Sequence, residues 1–212
     1  MQKIPRTLLL SILLVVSTAI AEPLAAPGDM RLRHDLQLLN DNSVTNIPLT
    51  AWPVSLGDVR NALAEANTAQ LDGSTMLAYE RLRRRLSWEL DISAVDFVFG
   101  ASGSSEPGVI RTFENTPLAE GEASARLAWV GERFAVNLSA TFASNPIDDD
   151  EFRPDGTYVG VALGNWMLTA GWQERWFGPG NDGSLILSSN ARPCHRELQS
   201  KEITARHSRR SG

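Results

Sequence analysis

Two hydrophobic periods divide the chain. From Gly28 to about Leu90 the apolar residues recur at helical spacing, and from there to about Trp176 they alternate with polar or small ones. In the first part Asp29 is placed to cap a helix carrying Leu32, Leu36 and Leu39 on one face, with Asn40 near its end. Pro48 and Trp52-Pro53 interrupt the pattern. Ser55 then caps a segment in which Leu56, Val59 and Leu63 share a face, and a third helix from about Ser74 lines up Met76, Tyr79, Leu82 and Leu86. Arg81, Arg84 and Arg85 fall off that stripe among Glu80 and Glu89, which reads as a solvated face rather than a phosphate or acidic-sugar grip. The expectation is a small bundle of three short amphipathic helices.

In the second part Ala123, Ala125, Leu127 and Trp129 alternate with Ser124, Arg126 and Ala128. After a tight Gly131-Glu132 turn, Phe134, Val136, Leu138, Ala140 and Phe142 alternate with Ala135, Asn137, Ser139 and Thr141. This predicts an antiparallel hairpin. Tyr158 to Leu163 and Trp166 to Arg175, joined by Gly164-Asn165, repeat the design. Val95 to Gly100 and Val109 to Thr116 are weaker strands on either side of a polar loop.

The second face of these strands decides the environment. A soluble sandwich turns one face to water and collects Lys and Glu there, whereas this face carries Ser, Asn, Thr, Gly and Ala with an occasional Arg. Strands of about 9–11 residues, apolar on one side and small-polar on the other, suit a transmembrane barrel, in which closure satisfies the backbone that lipid cannot. Trp129, Phe142, Trp166 and Trp172 lie near strand ends, where an aromatic girdle sits; the alternative for each is a packed core aromatic. The acidic connection Asn145 to Gly156 fits a long outward loop. It lacks EF-hand spacing, so it reads as solvated rather than as a calcium site.

The two ends are foreign to this body. Residues 22–193 hold 13 basic against 23 acidic side chains, a net charge of −10, whereas 1–21 carry +2 and 194–212 carry +3. Lys3 and Arg6 precede an uncharged run from Leu8 to Ile20 and a small-x-small Ala19-Ile20-Ala21, the pattern of a secretory signal peptide cleaved after Ala21. After Pro193 the alternation stops. Residues 194–212 hold the only cysteine, Cys194, and two of the three histidines, which reads as a disordered or out-of-frame tail.

Composition narrows the chemistry. The acidic body offers no basic field for nucleic acid. One cysteine and 3 histidines leave no metal cage or redox dithiol, and no cofactor is expected. His34 has no nearby Ser or Cys partner, and the nucleophile elbow, zinc helix and phosphate-loop motifs are absent from the sequence, so no enzyme is indicated.

The most unusual stretch runs from Arg175-Trp176-Phe177-Gly178-Pro179-Gly180 to Asn190-Ala191-Arg192-Pro193: a glycine- and proline-rich loop, then a short apolar restart at Ser184 to Ser188. With Gly28-Asp29-Met30-Arg31-Leu32-Arg33-His34-Asp35-Leu36 and Ile47-Pro48-Leu49-Thr50-Ala51-Trp52-Pro53, it resembles the capsule assembly protein Wzi family over roughly Gly28 to Pro193. The resemblance implies an outer-membrane protein of Gram-negative bacteria. In that reading a small periplasmic helical bundle precedes a large antiparallel barrel that helps attach capsular polysaccharide, acting as a lectin rather than an enzyme. The expected architecture is therefore mainly β: a signal peptide at 1–21, a helical bundle region at 22–92, and part of an outer-membrane β-barrel at 93–193, left as an open, truncated sheet. Capsular polysaccharide and outer-membrane lipid are the expected partners. Arg175, Trp176, Asn190 and Arg192 are the candidate sugar-binding residues, with an internal structural network as the alternative. Two other readings stay open, a periplasmic carbohydrate-binding or carbohydrate-active β-sandwich and a porin-like channel.

Overall fold

A computed structural model describes residues 23–69, 71–91, 95–108, 112–114, 116–147, 149–163, 166–185 and, as backbone, 198–202. The signal segment and most of the tail lie outside these residues. Among the described residues three helices form, the first two behind the predicted caps and the third close to its expected start: α1 (Met30–Asp41), α2 (Leu56–Ala64) and α3 (Gly73–Glu89). The side chains of Asp29, Ser55 and Asp72 each accept a hydrogen bond from an amide in the first turn, supplying partners the helix start lacks. α3 departs slightly from expectation. Thr75, Ala78, Leu82 and Leu86 are its buried face, and Met76 and Tyr79 sit at the margin.

Two of the α3 arginines are not on a solvated face, which corrects the sequence reading. Arg81 binds Asp35 of α1 through both Nε (2.9 Å) and Nη2 (2.5 Å), and Asp35 is 2% exposed. Arg85 joins Asp29, the α1 cap, and Glu89, one turn along its own helix. Helical spacing records that these arginines leave the apolar stripe. It carries no information about a carboxylate 46 or 56 residues away.

The strands form one antiparallel meander plus two small pairs. In the sheet the order is β11 (Leu198–Glu202), β9 (Trp166–Gly171), β8 (Tyr158–Leu163), β6 (Phe134–Pro146), β5 (Ala119–Val130), β4 (Val95–Gly103), with β7 (Phe152–Arg153) also on β6. The expected hairpins are present in register, with Trp129 opposite Val136 and Leu163 opposite Trp166. Gly131 in the first turn leaves room for the Trp129 indole, which a Cβ would meet at 2.7 Å. Gly171 at the end of β9 has φ 150° and lies against the Thr157 carbonyl, where a Cβ would come within 2.2 Å of the oxygen. The sheet does not close among the described residues. The predicted strand at 109–116 is not found: Val109 to Arg111 and Asn115 lie outside the described residues, and Thr112 to Glu114 contain a turn. β11, in contrast, falls in the segment expected to lack strands.

Register separates the two faces. Val95, Phe97, Phe99 and Ala101 of β4 lie beside Trp129, Leu127, Ala125 and Ala123 of β5, and these lie beside Val136, Leu138, Ala140 and Phe142 of β6. Val159, Val161 and Leu163 of β8 continue the face through Val136 and Phe134, and Ala170, Leu168 and Trp166 of β9 complete it. Every one of these positions is apolar. Large side chains point outward, with Phe99 72% and Phe142 62% exposed. β4, β5 and β6, of 9, 12 and 13 residues, meet the length of about 9–11 that a tilted membrane strand needs. No described helix is long and apolar enough to cross a membrane.

Candidate functional site

The three sequence stretches that carry the resemblance meet in one place. β2 (Ala51–Trp52) pairs with β10 (Trp176–Phe177), setting Trp52 opposite Trp176. β1 (Leu24–Ala25) pairs with β3 (Val54–Ser55) beside them. Phe113, from the connection between β4 and β5, enters between the two tryptophans with edge-on contacts of 5.0 and 5.6 Å. Arg33 of α1 lies over the Phe113 ring at 4.2 Å, and its Nη2 donates to the carbonyls of Gly178 (3.4 Å), Pro179 (2.7 Å) and Gly180 (3.2 Å). This joins the helical core to the Gly-Pro-Gly loop. The Gly178 amide also donates to the Thr50 carbonyl, and the Phe113 amide to that of Asn181.

The expected sugar-binding residues separate at this point. Trp176 is wholly buried, and its Nε1 donates to the Gly180 carbonyl at 3.1 Å, so the ring is a core element that presents no face to a ligand. Arg175, next to it, is half-buried. Asn190 and Arg192 lie outside the described residues. Sequence reasoning missed Arg33 and Phe113, because neither a buried arginine on an amphipathic helix nor a loop phenylalanine leaves a periodic signal.

A cleft of about 590 Å³ lies between the bundle and the polar face of the sheet. Its bundle wall includes Asp29, Arg85, Trp88, Glu89 and Asp91. The sheet side supplies Asp96, Glu122, Arg126, Asn137, Ser139 and Thr141, which alternation places opposite the apolar face. Arg153 of β7, Tyr158 of β8 and, beyond β9, Gln173 and Glu174 extend it. The Leu24 amide donates to the Tyr158 hydroxyl at 3.0 Å and so anchors the N-terminal segment to the sheet. Register could have found the charges on the sheet, since Asp96, Glu122 and Arg126 all fall at small-polar positions.

Among the described residues seven carboxylates line this cleft against three arginines, a net charge of −4. Each of those arginines already holds a carboxylate. Arg126 reaches Asp96 at 3.1 Å, Arg153 reaches Glu122 at 2.9 Å, and Arg85 joins Glu89 at 2.7 Å and Asp29. Burial pushes the Asp29 carboxyl up, but the Leu32 amide and the Arg85 guanidinium outweigh it and hold the group below the ordinary carboxylate value. Burial likewise works against the charge of Arg85, and its two carboxylate partners more than restore it. The arrangement offers many hydrogen-bond acceptors, a few charge-assisted donors, and at the rim the Trp88 ring, 81% exposed. Among the described residues no three His, Cys, Asp or Glu side chains are placed to hold a metal ion.

An open antiparallel sheet with a largely apolar outer face, many polar side chains on its inner face and a helical bundle against the latter has the architecture of a transmembrane β-barrel segment with an internal domain. Residues 99–202 match the family model for the capsule assembly protein Wzi. The match continues past 193, into the stretch whose composition departs from the body. An uncharacterized 55.8 kDa protein in the cps region of Klebsiella pneumoniae is 30% identical over 169 residues, covering 78% of this chain and 32% of the relative. The solved structure of Wzi, an outer-membrane protein involved in group 1 capsule assembly in Escherichia coli and described as a carbohydrate-binding β-barrel, aligns with a TM-score of 0.72. It is 27% identical and covers 85% of this chain and 40% of that one. The chain is thus similar to the capsule assembly protein Wzi family, and it spans about a third of the length of the Klebsiella relative.

Proposed function

We propose that the chain contributes part of an outer-membrane β-barrel that holds capsular polysaccharide at the surface of a Gram-negative cell, binding the polymer without chemically altering it. In this reading residues 1–21 are a signal peptide cleaved after Ala21, 22–92 the periplasmic bundle region and 93–193 barrel strands. The observation that supports it most directly is the outer face of β4, β5, β6, β8 and β9, apolar from Val95 through Trp129 and Val136 to Val159 and Ala170 and across their neighbours, while Asp96, Glu122, Arg126, Asn137, Ser139 and Thr141 fall on the other face. Lipid suits such a face, and water does not. The long Phe and Trp side chains left exposed there argue against the soluble sandwich, whose outer face would be polar. The likeness to that family supports capsule assembly over a simple pore.

The test is fractionation and capsule retention. Expressed with its leader, the chain should sediment with outer membranes and stay there after carbonate washing, and deleting its gene should shed polysaccharide into the medium. Recovery in the soluble periplasmic extract without detergent would refute the membrane reading. Unchanged capsule retention in the deletion strain would refute the assembly role.

A further inference from the structure

We infer that removal of the leader is a condition of assembly: residues 23–25 form a strap that stitches the bundle to the sheet, and the strap docks only once the apolar run ahead of it has gone. This inference rests on the proposed cleavage after Ala21 and gives that cleavage a structural purpose. Three residues bind both layers. The Pro23 carbonyl accepts the amide of Leu56 at 3.0 Å, one of the first-turn donors that α2 cannot satisfy itself. Leu24 and Ala25 pair with Ser55 and Val54 of the bundle. Strand alternation sends their side chains opposite ways. Ala25 is buried in the helical core, whereas Leu24 packs against Ala135 of β6, Tyr158 and Ala162 of β8 and Met167 of β9. The Leu24 amide, donating to the Tyr158 hydroxyl, adds a polar tie to the same cluster.

The side of the sheet on which the strap lies makes the leader an obstacle. Ala162 is opposite Met167 and Ala135 opposite Gly160, and these positions alternate with Val159, Val161 and Leu168 of the apolar face. Leu24 therefore sits on the face turned away from lipid. The run from Leu8 to Ile20, uncharged and rich in Leu, Ile and Val, partitions into hydrocarbon. Ile20 precedes Leu24 by four residues, a reach of at most about 14 Å in fully extended chain. Passing round the end of the sheet from its inner face costs about 10 Å for the layer, and the headgroup region adds roughly 5–7 Å. A leader seated in lipid thus draws Leu24 off its cluster, and a cut after Ala21 frees the strap to dock.

Refolding the complete precursor and a chain that starts at Glu22 in the same detergent micelles tests this, with hydrogen exchange resolved to single amides as the readout. The Leu24 and Leu56 amides should exchange at least about tenfold faster in the precursor, while the β5–β6 ladder is protected alike in both. Replacing Leu8 to Ile20 by a Gly/Ser run of equal length should restore that protection, because such a run has no affinity for the micelle. In the chain that starts at Glu22, Tyr158→Phe should speed exchange at Leu24 at least about tenfold. Equal protection of Leu24 and Leu56 in precursor and processed chain overturns this inference and leaves the cleavage reading standing. Continued fast exchange with the Gly/Ser run overturns lipid as the cause, and unchanged exchange at Leu24 in Tyr158→Phe overturns the tie to the sheet. The mass of the chain exported by cells should correspond to a start at Glu22; a mass that retains residues 1–21 overturns the cleavage reading and this inference with it.

Discussion

Arg33→Met removes the guanidinium that joins α1 to the Gly178–Gly180 loop while keeping an unbranched apolar stem. A single nitrogen donates to three carbonyls, the closest at 2.7 Å, and the cation lies 4.2 Å from the Phe113 centroid. Hydrogen bonds to a charged group contribute about 1.5–3 kcal/mol net, and a desolvated cation–π contact about 1–2 kcal/mol. Against this, Arg33 is 6% exposed, its Nη1 has no partner among the described residues, and burial lowers its pKa, so part of the gain is offset by desolvation. The net loss on substitution should be about 2–4 kcal/mol, confined to the junction. Hydrogen exchange reads it locally. The amides of Gly178, Leu185 and Phe113, which donate to Thr50, Phe177 and Asn181, should exchange about thirty- to a thousandfold faster, while the β5–β6 ladder is unaffected. Unchanged protection at all three amides would refute the junction as an energetic unit.

Three further expectations test other parts of the structure. Leu127→Arg, on the apolar face between Phe97 and Leu138, should lower the stability of the bilayer-refolded chain by about 2–4 kcal/mol, whereas Ala128→Arg on the polar face should cost under about 1 kcal/mol; equal effects would remove the assignment of faces. Gly171→Ala should lose about 3 kcal/mol or more, seen as a lower denaturant midpoint, because its Cβ would collide with the Thr157 carbonyl at a φ that side chains avoid. The folded pKa of Asp29 lies below the ordinary value of about 3.9, so its stabilising effect is complete above that value and is lost as pH falls through the folded one. Near-ultraviolet melts of the bundle should therefore hold constant from about pH 8 to 5 and decline below about 4, and Asp29→Asn should flatten that decline.

Local rules carried much of the fold. Asp29 and Ser55 cap where spacing places them, and the alternation through Trp129 and Phe134 fixes both the hairpin register and its outer face, because a slip of one residue would turn every apolar side chain inward. Features that depend on distant partners stayed hidden. Arg81 and Arg85 read as solvated until Asp35 and Asp29 are brought beside them, and Trp176 reads as a ligand contact until Phe113 and Trp52 enclose it. Phe113 was assigned to a weak strand running from Val109 to Thr116, whereas its ring is a wedge in a helical core. The charged cleft residues were visible singly at alternate positions, but their pairing across strands was not.

The wedge also fixes an order of events. Helices α1 to α3 lie within the first 89 residues, yet the interior they enclose includes Phe113 and Trp176, so the amino-terminal domain cannot be finished until almost all of the described chain has been delivered. Contacts so far apart along the polypeptide form late, after the closure entropy of the intervening loop has been met. A chain made from its amino terminus would therefore carry an incomplete globule, its apolar interior open to chaperones until the hairpins behind it arrive.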